Sequence, residues 1–285
     1  MNTQPRLIKT IAELCSVLSA ARKAGKRIGL VPTMGALHEG HLSLVRASKA
    51  QCDCTVVSIY VNPSQFGPRE DLAKYPHTLL EDLNALGTLN TDLVFAPSDN
   101  EMYPSGHCTW VEAGAVAEPL EGQCRPGHFR GVATIVLKLL NIVQPDVAFF
   151  GQKDYQQVLV IRRMVDDLNV PVEIRVCPIV REPDGLAMSS RNRYLSPEAR
   201  RRALVLWKSL QLAGDLAAKG ERDAEKIIAQ MRKVILTAED ARIDYIAIVD
   251  PDNLTPVATI AGCTLAALAV KIENTRLIDN CLLEP

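Results

Sequence analysis

Residues 27–52 read RIGLVPTMGALHEGHLSLVRASKAQC. Arg27 to Val31 is a short apolar run of strand length, a turn-rich stretch follows, and His41 to Cys52 carries apolar residues at helical spacing. The next run, Thr55 to Val61, is rich in β-branched residues and ends at Asn62-Pro63, which is turn chemistry. Strand, loop, helix and strand in that order predict a parallel crossover unit. Upstream, Ile8, Ile11, Leu14, Cys15 and Leu18 predict an amphipathic helix that stops at Gly25. Downstream the alternation continues. Thr78 to Leu86 reads as helix, Asp92 to Ala96 as strand, and Thr109 to Val111 as a short fourth strand. Gly131 to Val143 is helical, Asp146 to Phe150 strand, Tyr155 to Leu168 helix and Val172 to Val176 strand. The fold class expected is α/β, with a Rossmann-like doubly wound parallel sheet.

Past Val176 the pattern changes. A turn at Glu182 to Gly185 precedes helices over Ser196 to Ala218 and Asp223 to Ala238, and the clearest late strands are Ile243 to Val249 and Cys263 to Ile272. The chain is therefore expected to hold residues 1–177 as a nucleotide-binding domain and 178–285 as a smaller α+β domain, with Pro178 near the boundary.

The 285 residues are 47% hydrophobic and 23% charged, enough for a sizeable core, and the net charge of −1 supplies no field for phosphate backbones or anionic lipid. Nucleic-acid and membrane partners are not expected. The opening MNTQPRLIKTIAELC does not read as a secretory signal. The apolar windows Val132–Val143 and Ile260–Val270 fall short of the ~20 residues that span a bilayer, so a cytoplasmic protein is expected. The eight cysteines are scattered, with only Cys52 and Cys54 close, and the five histidines lack metal-ligand spacing. Reduced thiols are expected, and the protein ligands of any metal are left unknown.

The stretch Pro32-Thr33-Met34-Gly35-Ala36-Leu37-His38-Glu39-Gly40-His41 lies where the first strand of that unit hands over to its helix, the ligand end of such a sheet. Gly35 and Gly40 allow close backbone approach, and a helix start offers N–H groups and partial positive charge to phosphate. His38 and His41 can donate to phosphoryl oxygens as charge develops. A chance turn with two surface histidines is the plainer alternative, and the placement between strand and apolar helix argues against it. This HxGH run resembles the signature of the nucleotidylyltransferase superfamily, in which it cradles ATP.

Two weaker signals follow. Phe149-Phe150-Gly151-Gln152-Lys153-Asp154-Tyr155-Gln156-Gln157 again turns from strand to helix; Lys153 is a mobile charge suited to phosphate, although a Lys-Asp pair at a helix start is also an ordinary cap with a solvated charge. Met188-Ser189-Ser190-Arg191-Asn192 is rich in donors for an anion, as a nucleotide-closing loop requires and as a flexible basic turn also provides.

PTMGALHEGH, VSIYVNPSQFGPREDLAKYP, LEGQCRPGHFRGVATIVLKLLNIVQPDVAFFGQKDYQQ, MSSRNRYLS and TRLIDN together resemble the pantothenate synthetases, over nearly the whole chain. The resemblance implies condensation of (R)-pantoate with beta-alanine through a pantoyl adenylate, with ATP as cosubstrate, Mg2+ beside it, AMP and pyrophosphate released, and a homodimer. Matching positions imply an ATP site of Met34, Gly35, Ala36, Leu37, His38, Glu39, Gly40, His41, Gly151, Gln152, Lys153, Asp154, Val180, Met188, Ser189, Ser190 and Arg191. His41, His38, Lys153, Ser189, Ser190 and Arg191 would carry the chemistry, and Gln65 and Gln157 would hold pantoate, with Gln65 near beta-alanine. Asn62 is the next substrate candidate, although it could simply end its strand.

His107 and His128 are left without a direct role, and those of Arg125 and Arg130 in RPGHFRG stay open. Gln152 and Glu273 depart mildly from the expected pattern, Glu273 standing where a small residue is expected. Rival readings are a simple nucleotidylyltransferase, a fragment of a class I aminoacyl-tRNA synthetase, which the neutral charge disfavours, and a silent nucleotide-binding protein.

Overall fold

In the computed structural model, which describes residues 4–68 and 70–284, the chain divides into two units, 1–152 with 157–178, and 153–156 with 179–285. The second unit thus claims the short segment from Lys153 to Gln156, which the sequence had placed wholly with the first.

The first unit runs β1 (Arg6–Ile8), α1 (Ile11–Lys23), β2 (Ile28–Thr33), α2 (Glu39–Gln51), β3 (Cys54–Ile59), α3 (Leu79–Thr88), β4 (Leu93–Phe95), α4 (Asp99–Met102), α5 (Glu121–Cys124), α6 (His128–Val143), β5 (Val147–Gly151), α7 (Tyr155–Asp167) and β6 (Glu173–Cys177). Its strands form one parallel sheet in the order β1-β4-β3-β2-β5-β6. Successive strand residues face opposite sides. Leu30, Val56 and Phe95 therefore meet α1, α6 and α7 on one face, while Val31, Val57 and Val94 meet α2 and α3 on the other. Gly29 lets α2 approach closely, since a Cβ there would lie 2.2 Å from Ser48 Oγ.

Two expectations change in this unit. Ile8 does not open the first helix but ends an edge strand paired to β4, and Thr10 caps α1 by accepting the N–H of Glu13. Thr109 to Val111 is not a strand: the Val111 N–H goes to Thr134 Oγ1 of α6 rather than to a ladder.

The second unit contains α8 (Pro197–Arg202), α9 (Leu204–Ala218), α10 (Ala224–Ile235), β7 (Arg242–Val249), β8 (Thr264–Ile272) and β9 (Thr275–Leu283). Its strands form an antiparallel sheet in the order β7-β8-β9, with α9 and α10 packed over an apolar core of their own. The helix expected over Ser196 to Ala218 is two helices divided at Ala203. Glu273 sits at φ 51° in the two-residue turn joining β8 to β9, a conformation that favours Gly or Asn. This explains the expectation of a small residue there. The Glu273 carboxylate instead takes bonds from Ser196 and Arg202. Among the described residues no helix is long and apolar enough to cross a membrane.

Candidate active site

β2 is where the strand order reverses, with β3 on one side and β5 on the other. Its pairing with β5 covers only Gly29 with Val147 and Leu30 with Ala148, yet the two strands continue to Thr33 and Gly151. They part towards their carboxyl ends, and ligands enter open α/β sheets at such a reversal. The loops leaving these two ends carry the HxGH run and Gly151-Gln152.

A buried carboxylate shapes the first loop. Asp82 of α3 accepts the N–H of Ala36 through Oδ2 at 3.0 Å and that of Leu37 through Oδ1 at 2.8 Å, and Thr78 Oγ1 donates to the same Oδ2. Thr33 Oγ1 takes the Gly35 N–H and donates to the Ser58 carbonyl. Gly35 is required on two counts: φ is +79°, and an added Cβ would sit 3.0 Å from Asp82 Oδ2. Asp82 was not among the sequence candidates. Its one signal was an acid standing on the apolar stripe of Leu79, Leu83 and Leu86.

The histidines complete the turn. His38 caps α2, its Nδ1 accepting the Gly40 N–H at 3.2 Å, and His41 Nδ1 accepts the His38 N–H at 3.4 Å. A backbone N–H can only donate, so each Nδ1 is an acceptor and each neutral ring carries its proton on Nε2. The ring centroids are 4.1 Å apart. The amides of Ala36, Leu37, His38 and Gly40 serve the loop itself, and with Nδ1 accepting, each neutral imidazole carries its own donor at Nε2.

The NPSQF segment joins this loop through Gln65, whose Nε2 lies 3.2 Å from Met34 Sδ. Asn62 is 1% exposed and fully engaged. Its Nδ2 donates to Gln65 Oε1 and to the Gly131 carbonyl; its Oδ1 accepts from the Ser64 N–H, Ser64 Oγ and Tyr103 OH. Asn62 thus holds Gln65 in place. Gly131 admits the segment, because a Cβ there would be 2.4 Å from the Ser64 carbonyl oxygen.

RPGHFRG secures the segment from the other side. Arg125 binds Glu70 through both carboxylate oxygens, at 2.9 and 2.6 Å, and donates to His128 Nε2 at 2.9 Å. Arginine only donates, so His128 carries its proton on Nδ1 and gives it to the Gln65 carbonyl at 2.9 Å. Burial first, and the Arg125 charge second, push the His128 pKa down to about 4. His128 is therefore a neutral brace. Arg130 lies at the surface, 4.7 Å over the Trp110 ring. Gln157, in the first turn of α7, is partly buried.

The second unit holds the remaining candidates. Lys153 and Asp154 lie in a 3-10 turn, Nζ 3.9 Å from Oδ1. Val180 and Met188 face each other across a small hairpin, the Met188 N–H donating to the Val180 carbonyl at 3.0 Å. Ser189 caps the 3-10 turn Ser190–Tyr194 by accepting the Arg191 N–H. Asn192 ties this turn to Glu182 and to the Ala187 carbonyl, and Arg200 in turn holds Glu182 and Asp184.

A profile of pantoate-beta-alanine ligases matches residues 6–282. The chain belongs to the pantoate-beta-alanine ligase family. Pantothenate synthetase from Moorella thermoacetica is 56% identical over 98% of both chains, and that from a Roseiflexus species 56% identical over 98% of this chain and 99% of its own. The crystal structure of pantothenate synthetase from Thermus thermophilus superimposes with a TM-score of 0.94 at 44% identity, covering 98% of this chain and 100% of its own. The pantoate-beta-alanine ligase of Francisella tularensis, solved complexed with beta-gamma ATP and beta-alanine, gives a TM-score of 0.82 at 35% identity, covering 98% and 97% of the two chains. As a member of this family the chain is an ATP-dependent ligase that joins pantoate to beta-alanine.

Proposed function

We propose that the ligation runs in two half-reactions on the residues described above. The pantoate carboxylate attacks the α-phosphorus of ATP and pyrophosphate leaves. The beta-alanine amine then attacks the acyl carbon of the pantoyl adenylate, a proton is lost from nitrogen, and AMP leaves. The observation that carries this reading is the histidine pair. Both Nδ1 atoms are occupied by backbone N–H groups, so two Nε2–H donors are set beforehand for the charge that grows on the phosphoryl oxygens. His41 is the proposed principal donor, with His38 beside it.

Met34 to His41 and Gly151 to Asp154 are proposed to line the ATP site, and Lys153, Ser189, Ser190 and Arg191 to stabilise its phosphates. A carbonyl has two lone pairs, so Val180 can receive the Met188 N–H and still accept from the adenine amino group. Gln65 and Gln157 suit a hydroxy acid because their amides both donate and accept without adding charge. Asn62, with its hydrogen-bonding capacity occupied, is proposed to act by holding Gln65 and not by touching pantoate. The second unit is proposed to close over the nucleotide and exclude water from the adenylate.

Magnesium is proposed to arrive with ATP. Among the described residues no group of three or more His, Cys, Asp or Glu side chains could hold a metal ion. Phosphate oxygens and water would hold the ion, as suits magnesium, and it would neutralise phosphate charge there. A homodimer is also proposed, and light scattering should give twice the 31.2 kDa chain mass. A cytoplasmic location fits the eight free cysteines.

Mass-spectrometric product analysis tests the reaction. Mg-ATP, (R)-pantoate and beta-alanine should give pantothenate and AMP, and omitting either acceptor should abolish pantothenate. A stable nucleotide conjugate as end product would point to simple nucleotidyl transfer instead.

A further inference from the structure

The tail TRLIDN carries none of the chemistry above, yet it holds two buried polar side chains in succession, Asp279 and Asn280, 2% and 3% exposed. Consecutive strand residues point to opposite faces of a sheet, so β9 can grip something on each side with this one dipeptide.

On the face towards α9, Asp279 receives Arg181 as a bidentate pair, NH1 to Oδ2 at 2.6 Å and NH2 to Oδ1 at 2.9 Å. The Arg181 guanidinium lies 3.8 Å over the Trp207 ring and donates also to the Gly185 carbonyl. Gly185 closes the hairpin against the same indole, where an added Cβ would be 2.0 Å from Trp207 Cδ1. Arg181 therefore fixes the hairpin whose ends are Val180 and Met188. On the opposite face, Asn280 Nδ2 donates to the main-chain carbonyl of Lys153 at 2.9 Å. That bond reaches across 127 positions of sequence to the turn that carries the Lys153 ammonium.

We infer that Asp279 and Asn280 are positioning residues for ATP, β9 setting the Lys153 turn from one face and the Val180–Met188 hairpin from the other. The inference rests on the proposed ATP roles of Lys153 and Val180. Burial pushes the Asp279 carboxyl up while Arg181 pulls it down, so the carboxylate depends on that arginine, as a structural clamp within the sheet should.

The test compares Asn280→Ala, Asn280→Asp, Leu277→Ala and Lys153→Ala in the full chain, with titration calorimetry for ATP and for pantoate, steady-state kinetics and thermal melts. Leu277 is a buried apolar residue of the same strand and reports what loss of stability alone does. Loss of the Asn280 bond should raise the Kd and KM for ATP about tenfold, the reach of one hydrogen bond, with the pantoate Kd unchanged. Asn280→Asp, isosteric but unable to donate while ionised, should do at least as much. Leu277→Ala should melt earlier and keep its ATP affinity. If Lys153→Ala weakens ATP binding while both Asn280 variants bind it normally, or if Leu277→Ala matches them, the positioning role is overturned and the Lys153 reading stands. If Lys153→Ala itself binds and turns over ATP normally, both fall.

Discussion

Two loops rich in donors are held in contrasting ways. Residues 33–41 are fixed from inside, by a buried carboxylate that takes two main-chain N–H groups and by imidazoles that take two more. Residues 180–192 are held by the main-chain bonds of their own hairpin, by partly exposed side chains, Glu182 with Asn192 and Arg200, and Asp184 with Arg200, and by the buried anchor of Arg181 on Asp279. Main-chain amides clamped in a low-dielectric interior are costly to release, whereas partly exposed ion pairs exchange readily with water and salt. The first loop is held rigid, as the role proposed for its imidazoles requires. The second is held in part by bonds of the more exchangeable kind.

The contrast can be broken most sharply at His41. His41→Ala should lower kcat by about 10²- to 10³-fold, the loss seen when one donor to a developing oxyanion is removed, with stability down by only about 1–3 kcal/mol as the His38 N–H loses its acceptor. Next comes Asp82→Ala, which strands the Ala36 and Leu37 amides. Stability should fall by about 2–4 kcal/mol, read by urea denaturation, and kcat should fall with it. If activity drops without loss of stability, the loop is not held as described. Asn62→Ala frees Gln65 and should raise the pantoate KM about tenfold, leaving ATP binding alone.

The His128 brace predicts a pH effect. Unfolded, His128 binds a proton near 6.5; folded, it stays neutral down to about 4. Its contribution to stability is therefore complete above 6.5 and declines as pH falls through that window, because the unfolded chain binds more protons. A His128→Asn variant should show a shallower fall in stability between pH 6.5 and 4, and parallel curves would contradict the buried neutral ring. The smallest effect belongs to the second loop. Arg200→Ala should cost about 1 kcal/mol or less and raise the ATP KM only a few fold, an effect that added salt reproduces in the unaltered chain.

Much of this was legible in the sequence because alternation and periodicity report burial directly. The strands around residues 28–33, 54–59 and 147–151 lie within a residue or two of where their apolar runs place them. Arg6–Ile8 was hidden because three residues carry no period, and Ile8 also fits the helical stripe that follows. Thr109–Val111 misled because extended, β-rich residues can bond to a helix side chain as well as to a strand. At the site, residue type revealed the groups able to do chemistry, His38, His41 and Lys153. It did not reveal those that aim them. Asp82, Tyr103, Gly131, Asp279 and Asn280 act through contacts made 41 to 127 positions away, and no local pattern reports such contacts.

The central claim is that the two Nε2–H donors of the first loop drive adenylation. It is tested most directly by pantoate-dependent exchange of labelled pyrophosphate into ATP, measured without beta-alanine for the unaltered chain and for folded His41→Ala. The account predicts rapid exchange in the first and near-complete loss in the second, with ATP and pantoate still bound. Exchange at the same rate in both would contradict it.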